Sequence, residues 1–448
     1  MLVNTLKNHS LIYIARDIER ALGMAPGTQN NYYIITNNTP YAREIQQKYP
    51  DSVFIISATN TDSDSDNKAL DTYELIIHKQ TEEIINKIKN SDKEKPLSLL
   101  VFKNTNRIEA YCKEKQWHLA NPSAALAETV ENKITQVNWL DTHAKHLPSH
   151  EILKIADIQS SKINRPYIIQ WAHSHTGLGT LFVPAGKSGD KLLAELEAKF
   201  PAREARVTEY IPGPMFTVNV CVGETISIGN ISYQITGMLP FTDSTFATIG
   251  NDWGLTHSIL DEAHIAKIES IANDVGEQMQ KSGWKGLFGI DCIYDEGLGN
   301  IHLIEINARQ AASTTYESQL QQIFRNEGVT GRTIFEAHID ALLSDKKIPD
   351  EKVINTKKNL EANKSESDII HINDGAQIIY RVPTTPQDKK EIKKIDPEAL
   401  RHLGYTVVEY MNTEPGNDLL RIQSVRDIMD KHNKFNTRGK EILDTIML

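Results

Sequence analysis

Leu287 to Ser313 reads LFGIDCIYDEGLGNIHLIEINARQAAS. Two runs of alternating apolar residues flank a turn rich in Glu, Gly and Asn, Glu296 to Asn300, which is the pattern of a β-hairpin. With Asp295 paired to Ile301, the register puts Asp291 opposite Glu305 and Asn307 opposite Gly289. Side chains alternate with period two, so Asp291, Glu305 and Asn307 share one face. Phe288, Ile290, Cys292, His302, Ile304 and Ile306 are expected on the other, mostly apolar, face.

Two carboxylates facing each other across a ladder repel, and a cation between them reverses the sign of that interaction. Oxygen ligands without His or Cys suit Mg²⁺ or Mn²⁺. Mg²⁺ takes one or two carboxylates and fills its other positions with water and substrate phosphates. Asn307 offers a further oxygen. Arg309, two residues on, keeps to the same face if the strand continues, and suits an anionic group or a developing negative charge. Two carboxylates alone would read as a solvated acidic face. The ordered set Asp, Glu, Asn, Arg on one face reads as a metal–phosphate site.

This pattern resembles the metal-binding end of the ATP-grasp superfamily, whose members join a carboxylate to an amine or another nucleophile through an acyl-phosphate. The resemblance implies ATP with Mg²⁺ or Mn²⁺ as cofactors. It implies Asp291, Glu305 and Asn307 as metal ligands and Arg309 as the catalytic arginine. The fold class it implies is α/β (α+β): an ATP-grasp core, an N-terminal Rossmann-like pre-grasp domain and a small C-terminal α/β region. The expected boundaries are 1–120, 121–345 with a hinge near 208–213, a polar linker over 346–368, and 369–448.

The rest of the chain is consistent with this frame. Its 448 residues are enough for two or three domains. A net charge of −10, with acids and bases interspersed, argues against nucleic acid or an anionic membrane as the main partner. Cys112, Cys221 and Cys292 form neither a disulfide framework nor a metal-ligand cluster, which points to a reducing cytoplasm. No apolar run reaches transmembrane length, and the N-terminus lacks the apolar region and cleavage site of a signal peptide.

Up to about Pro122, strand signals at Tyr32–Thr36, Val53–Ser57, Tyr73–Ile77 and Leu97–Phe102 alternate with helix-compatible segments such as Arg107 to Lys115. This spacing predicts a small α/β layer with a mostly parallel sheet. Thr59 to Asn67 reads as a polar surface loop. Gly23 and Gly27 make no G-x-G-x-x-G, so a dinucleotide site is not supported there. Pro122 and Ser123 start a predicted helix over Ala124–Val130. Lys133 follows, in a place that resembles the family's first ATP-binding lysine.

The runs Tyr167–Trp171 and Thr180–Val183 read as strands enclosing Ser174, Thr176, Gly177 and Gly179, where backbone N–H groups can approach phosphates. By spacing alone this is a glycine hairpin turn; its position after Lys133 favours a phosphate-covering loop. Gln170 stands where the family commonly has Lys, and it can bond a phosphate or an adenine edge without supplying charge. His173, His175 and Lys187 are candidates for the displaced cation. Glu209, Tyr210 and Ile211 match the family's inter-lobe strand, whose backbone bonds adenine. Met215 occupies a place where an acid is frequent, with Asn219 as a candidate for the lost polar contact.

Ser232 to Trp253 reads as strand and loop crossing the cleft, with Gln234 and the 250–253 turn as candidate substrate contacts. Ser258 to Ser282 is an amphipathic helix with Ile265, Ile268, Ala272, Val275 and Met279 on its core stripe and Gly283 as its stop. A further helix is expected over Gly328–Leu343, an exposed linker over Lys346–Asp368, and strands over Gln377–Val382, Thr406–Glu409 and Leu419–Ser424. Arg421 either faces the cleft toward a carboxylate or is solvated or salt-bridged. The function implied is an ATP-dependent ligase taking a small-molecule carboxylate and an amine, amino-acid or peptide-like. The alternatives are a small-molecule kinase on the same nucleotide site and a non-catalytic nucleotide-binding protein. Related folds commonly form homodimers; the sequence does not choose an oligomeric state.

Overall fold

A computed structural model describes residues 4–57, 69–158, 165–172, 179–344, 369–384, 395–410, 412 and 414–447. The N-terminal sheet consists of β1 (Ser10–Ala15), β2 (Tyr32–Asn37), β3 (Val53–Ile56), β4 (Leu97–Val101) and β5 (His118–Leu119). All pairings are parallel and the order is β3-β2-β1-β4-β5. A parallel sheet covered on both faces needs apolar side chains on both, and β1, SLIYIA, is buried throughout. On one face Ile12, Ile14 and Ile35 join Leu75, Ile85 and Ile108. On the other, Leu11, Tyr13 and Ile34 pack with Phe335 and Ile339, so a helix from the central region roofs this sheet.

The segment Tyr73–Ile77, expected as a strand, is a helix over Thr72–Ile77. Its β-rich composition is overridden by a capping box. Asp71 Oδ1 accepts from Glu74 N, and Glu74 Oε2 accepts from Asp71 N, both at 2.7 Å. The helix expected at 107–115 spans Asn106–Glu114 behind its Thr105 cap. The loop expected over Thr59–Asn67 lies outside the described residues.

The central region opens with the helix Ala124–Glu131, whose Ser123 cap accepts from Leu126 N. An antiparallel sheet follows, ordered β6-β9-β7-β8, from β6 (His150–Lys154), β7 (Tyr167–Trp171), β8 (Thr180–Val183) and β9 (Glu204–Glu209). The larger sheet is built from β10 (Met215–Val222), β11 (Ile226–Ile228), β12 (Ser232–Thr236), β13 (Thr248–Asp252), β14 (Gly286–Asp295), β15 (Asn300–Asn307), β16 (Ala376–Arg381), β17 (Thr406–Glu409) and β18 (Asp418–Ser424). Its order is β15-β14-β10-β12-β13-β16-β18-β17, with β11 beside β10. The three expected C-terminal strands are present, and they extend this sheet through the β13–β16 pairing.

The expected helix over 258–282 is two helices. A single turn, Thr256–Ile259, precedes Glu262–Lys281, because Asp261 caps the second by accepting from His264 N at 2.9 Å. Ile268, Ala272, Val275 and Met279 are buried as expected, and Gly283 at φ +82° ends the run. The helix expected over 328–343 is confined to Ile334–Leu343, behind a Thr333–Glu336 capping box. An unexpected helix, Thr314–Asn326, precedes it, and Gly328 at φ +100° separates the two. The expected linker lies outside the described residues. Among the described residues no helix is long and apolar enough to cross a membrane.

Candidate active site

The β14–β15 hairpin has the expected pairs at its functional end and a different register at its turn. Asp291 faces Glu305 and Gly289 faces Asn307, but Asp295 pairs with Asn300 rather than Ile301. A bulge between Asp291 and Cys292 absorbs the one-residue difference, leaving Ile304 as the extra residue. Beyond the bulge the alternation inverts. Ile301, Leu303 and Ile306 enter the core with Phe288, Ile290 and Cys292, whereas Ile304, expected on that face, lines the cavity.

Asp291 is 8% exposed and is held from both sides. Oδ1 accepts from Thr217 Oγ1 at 2.8 Å and Gln234 Nε2 at 2.6 Å, and Oδ2 accepts from Asn307 Nδ2 at 3.1 Å. Thr217 is its ladder partner on β10. Asn307 Oδ1 accepts from Arg309 Nη1 at 2.7 Å, which also donates to Glu131 Oε1 at 3.2 Å. Glu131 in turn pairs with Lys103 at 2.6 Å. The catalytic candidate is thus tethered between the metal-ligand candidates and the helix ahead of Lys133.

The two facing carboxyls are driven apart in pKa. Burial and the Glu305 charge push Asp291 above the usual carboxylate range. Burial pushes Glu305 upward too, but Lys133, Arg309 and Arg206 together outweigh it and hold Glu305 below its ordinary value. Asp291, Glu305 and Asn307 form an all-oxygen set on one rigid ladder. That donor chemistry fits Mg²⁺ or Mn²⁺.

Lys133 is 1% exposed and donates from Nζ to Glu305 Oε1 at 2.7 Å, joining residues that the sequence placed in separate roles. It does not line the cavity. Gln170 is buried opposite Arg206 on the β7–β9 ladder. The Arg206 guanidinium, 2% exposed, grips Gln170 Oε1 through Nε at 3.0 Å and Nη2 at 2.8 Å, and donates from Nη1 to Gln136 Oε1 at 3.0 Å and from Nη2 to Ile304 O at 3.0 Å. Burial lowers its pKa to about 10, so it stays charged at neutral pH. No carboxylate bonds it among the described residues. Arg206 was not among the sequence candidates; the signal for it was its rung opposite Gln170, visible only once the register is known. Of the substitutes considered, His173 and His175 lie outside the described residues, and Lys187 is exposed and off the cavity.

A cavity of about 410 Å³ joins these groups, within the roughly 300–1,000 Å³ of small-molecule sites. Glu209, Tyr210, Ile211 and Met215 line it, as do Gln170, Asp291, Glu305, Asn307 and Arg309. Glu209 carries an ion pair with Arg165 at 3.0 Å. Ser174, Thr176 and Gly177 lie outside the described residues; Gly179 is described, and its carbonyl accepts from Trp171 N at 3.1 Å. Asn219 supplies no contact in the cavity: Nδ2 donates to Ser313 Oγ at 3.0 Å and Glu317 Oε2 at 2.6 Å. Of the 232–253 candidates, Gln234, Gly250 and Asn251 reach the cavity, whereas Trp253 packs against Tyr316. Arg20 and Phe102 close the wall from the N-terminal region, and Arg381 and Arg421 from the C-terminal strands.

Residues 130–313 match the family model of the ATP-grasp domain. No protein of curated function matches the sequence. Among solved structures, N5-carboxyaminoimidazole synthetase from Staphylococcus aureus superposes with a TM-score of 0.58 at 12% identity, covering 100% of each chain. N5-carboxyaminoimidazole synthase from Aspergillus clavatus, in complex with ADP and 5-aminoimidazole ribonucleotide, gives 0.59 at 14% identity over 98% of this chain and 99% of that one. Biotin carboxylase from Campylobacter jejuni gives 0.57 at 12% identity over 93% of this chain and 87% of that one. At such identities the likeness is one of fold. The chain shares the fold of these enzymes, and its residues 130–313 are similar to the ATP-grasp domain.

Proposed function

We propose that this protein is an ATP-dependent ligase that activates a substrate carboxylate as an acyl-phosphate and joins it to an amine. The observation that carries the reading is the placement of Asp291, Glu305, Asn307 and Arg309 on the wall of one cavity that also contains the inter-lobe segment Glu209–Ile211. ATP lies in that cavity, with adenine at the backbone of 209–211 and the phosphates toward the hairpin. That the Aspergillus synthase of this fold was solved with ADP, and the Campylobacter carboxylase as an ATP-type complex, supports a nucleotide there. Asp291, Glu305 and Asn307 would hold Mg²⁺, which would supply positive charge to offset that of the phosphates.

The chain's own side chains do the rest by position and charge. Arg206 and Lys133 supply buried positive charge near Glu305. Arg309, fixed by Asn307 and Glu131, faces the site where charge develops. A substrate carboxylate oxygen forms a bond to the γ-phosphorus as the bond to ADP breaks. The amine then attacks the acyl carbon, the C–N bond forms, phosphate leaves with the electron pair of the broken C–O bond, and the proton lost by the amine goes to that phosphate. Phe102 and Phe246 in the wall help to keep water from the intermediate.

Product analysis tests this. The protein is incubated with ATP and Mg²⁺ against a matrix of carboxylic acids and amines, and ADP, inorganic phosphate and new masses are followed. Phosphate released only with both substrates present, together with an amide product, is the expected result. Phosphate retained on the acceptor would establish the kinase reading instead. Tight ATP binding with no turnover across the matrix would favour a nucleotide-sensing protein.

A further inference from the structure

Asp141 to His146, DTHAKH, forms a 3₁₀ helix ahead of β6. Three residues make one turn of such a helix, so side chains at i and i+3 eclipse. His143 and His146 therefore share one face, with their rings within 13° of parallel and their centroids 6.4 Å apart. That face meets Asp274 on the helix Glu262–Lys281. Asp274 Oδ2 lies 2.7 Å from His146 Nε2 and 3.5 Å from His143 Nδ1. One ligand atom from each of the three residues falls within 4.8 Å of the others. None of the three lines the cavity.

Two features set this cluster apart from a simple pin between segments. The preceding turn is already tied to the same long helix: Trp139 Nε1 donates to Ser282 Oγ at 2.9 Å, and Gln278 Nε2 donates to Trp139 O at 2.6 Å. His143 Nδ1, moreover, is buried without a hydrogen-bond partner, beside the carboxylate oxygen that His146 engages. A buried nitrogen left unmet calls for a partner, an ion among them. Two imidazoles and a carboxylate suit zinc and its transition-metal neighbours rather than Mg²⁺. Zinc bonds of about 2.0–2.2 Å set tetrahedral ligand atoms about 3.3–3.6 Å apart. The His143–Asp274 spacing of 3.5 Å already meets this. Small rotations of the two rings bring the other spacings into range, with the His146 hydrogen moved to Nδ1.

We propose that His143, His146 and Asp274 bind one divalent transition ion of the zinc class, in a site separate from the hairpin carboxylates. Three protein ligands leave the fourth position of the tetrahedron to water. The ion ties the chain entering the β6-β9-β7-β8 sheet to the helix that leads into β14. The site does not depend on the ligase reading.

The test uses the full chain without a histidine tag, stripped with EDTA and returned to buffer containing excess Mg²⁺, which holds the hairpin carboxylates. Zn²⁺ is titrated by calorimetry, and Co²⁺ is followed by visible absorption. Zn²⁺ should bind one to one, and Co²⁺ should give the intense visible bands of a tetrahedral ion. Asp274→Asn keeps an acceptor for His146, and His143→Leu removes no hydrogen bond at Nδ1. Each should weaken the Zn²⁺ Kd at least tenfold and abolish the tetrahedral Co²⁺ bands, with the far-ultraviolet circular dichroism unchanged. If one variant fails to fold, the other decides. Absence of the one-to-one event in the wild type under excess Mg²⁺, or a Zn²⁺ Kd unchanged in the folded variants, overturns the proposal.

Discussion

Arg206 brings a buried guanidinium to Gln170, the position at which the family resemblance leads one to expect a lysine. Gln170 and Arg206 face each other on one antiparallel rung, so their Cα atoms stand about 4.5–5.5 Å apart. A long side chain from either position reaches the same space, and here the cation is on β9. Arg206→Gln should weaken binding of a Mg²⁺–ATP analogue at least tenfold, about 1.4 kcal/mol, by isothermal titration. Adding Gln170→Lys to that variant should recover most of the loss; unchanged affinity in the single variant would show that the guanidinium only packs. The shared placement of Asp291, Glu305, Asn307 and Arg309 on the cavity wall was legible because one hairpin segment holds all four, and strand alternation is a local rule. Arg206 was not, because its bond to Gln170 crosses 36 residues, and the Lys133–Glu305 pair crosses 172.

The elements that carry these residues are fixed by caps and close approaches as much as by periodicity. At the bulge the turn differs from the expected register by one residue while the Asp291–Glu305 and Gly289–Asn307 pairs are as expected, since the extra residue, Ile304, lies between the turn and those pairs. Sequence alternation does not announce a bulge, because Leu303 and Ile304 are both apolar. Tyr73–Ile77 was missed for the opposite reason: a legible Asp71-x-x-Glu74 box was outweighed by β-rich composition. At the root of β14, Leu287 N donates to His338 Nδ1 at 3.0 Å, and Gly286 at φ +87° leaves room for that ring. Burial pulls the His338 pKa down to about 3. Below a pH of about 6.5 the unfolded chain takes up a proton that the folded ring refuses. Stability therefore rises with pH between about 3 and 6.5 and is fully present above that, with a slope of up to about 1.4 kcal/mol per pH unit. His338→Asn, which keeps an acceptor for Leu287 N, should reduce the acid slope seen in urea unfolding by about one proton. An identical slope in both proteins would place the titration elsewhere.

At the scale of the whole molecule, the cavity is completed by regions far apart in the chain. The N-terminal sheet is roofed by Phe335, whose ring packs so close to Gly23 that an added Cβ would lie 2.4 Å from it. The C-terminal strands join the central sheet where Gly250 pairs with Ile378, and they return to the N-terminal region through Tyr410 and Glu19. Those strands were legible one by one from their apolar runs, but the sheet they belong to was not, since pairing partners lie more than a hundred residues apart and no local pattern names them. A ligase of this kind needs the hairpin to be a metal–nucleotide site. The most direct measurement is thermal unfolding with a non-hydrolysable ATP analogue, with and without Mg²⁺, for the wild type and Glu305→Gln, which retains an acceptor for Lys133. The expected result is stabilisation that requires Mg²⁺, about 2.7 kcal/mol at a hundredfold excess over Kd, and its loss in the variant. No Mg²⁺-dependent shift in the wild type, or an equal shift in Glu305→Gln, would contradict it.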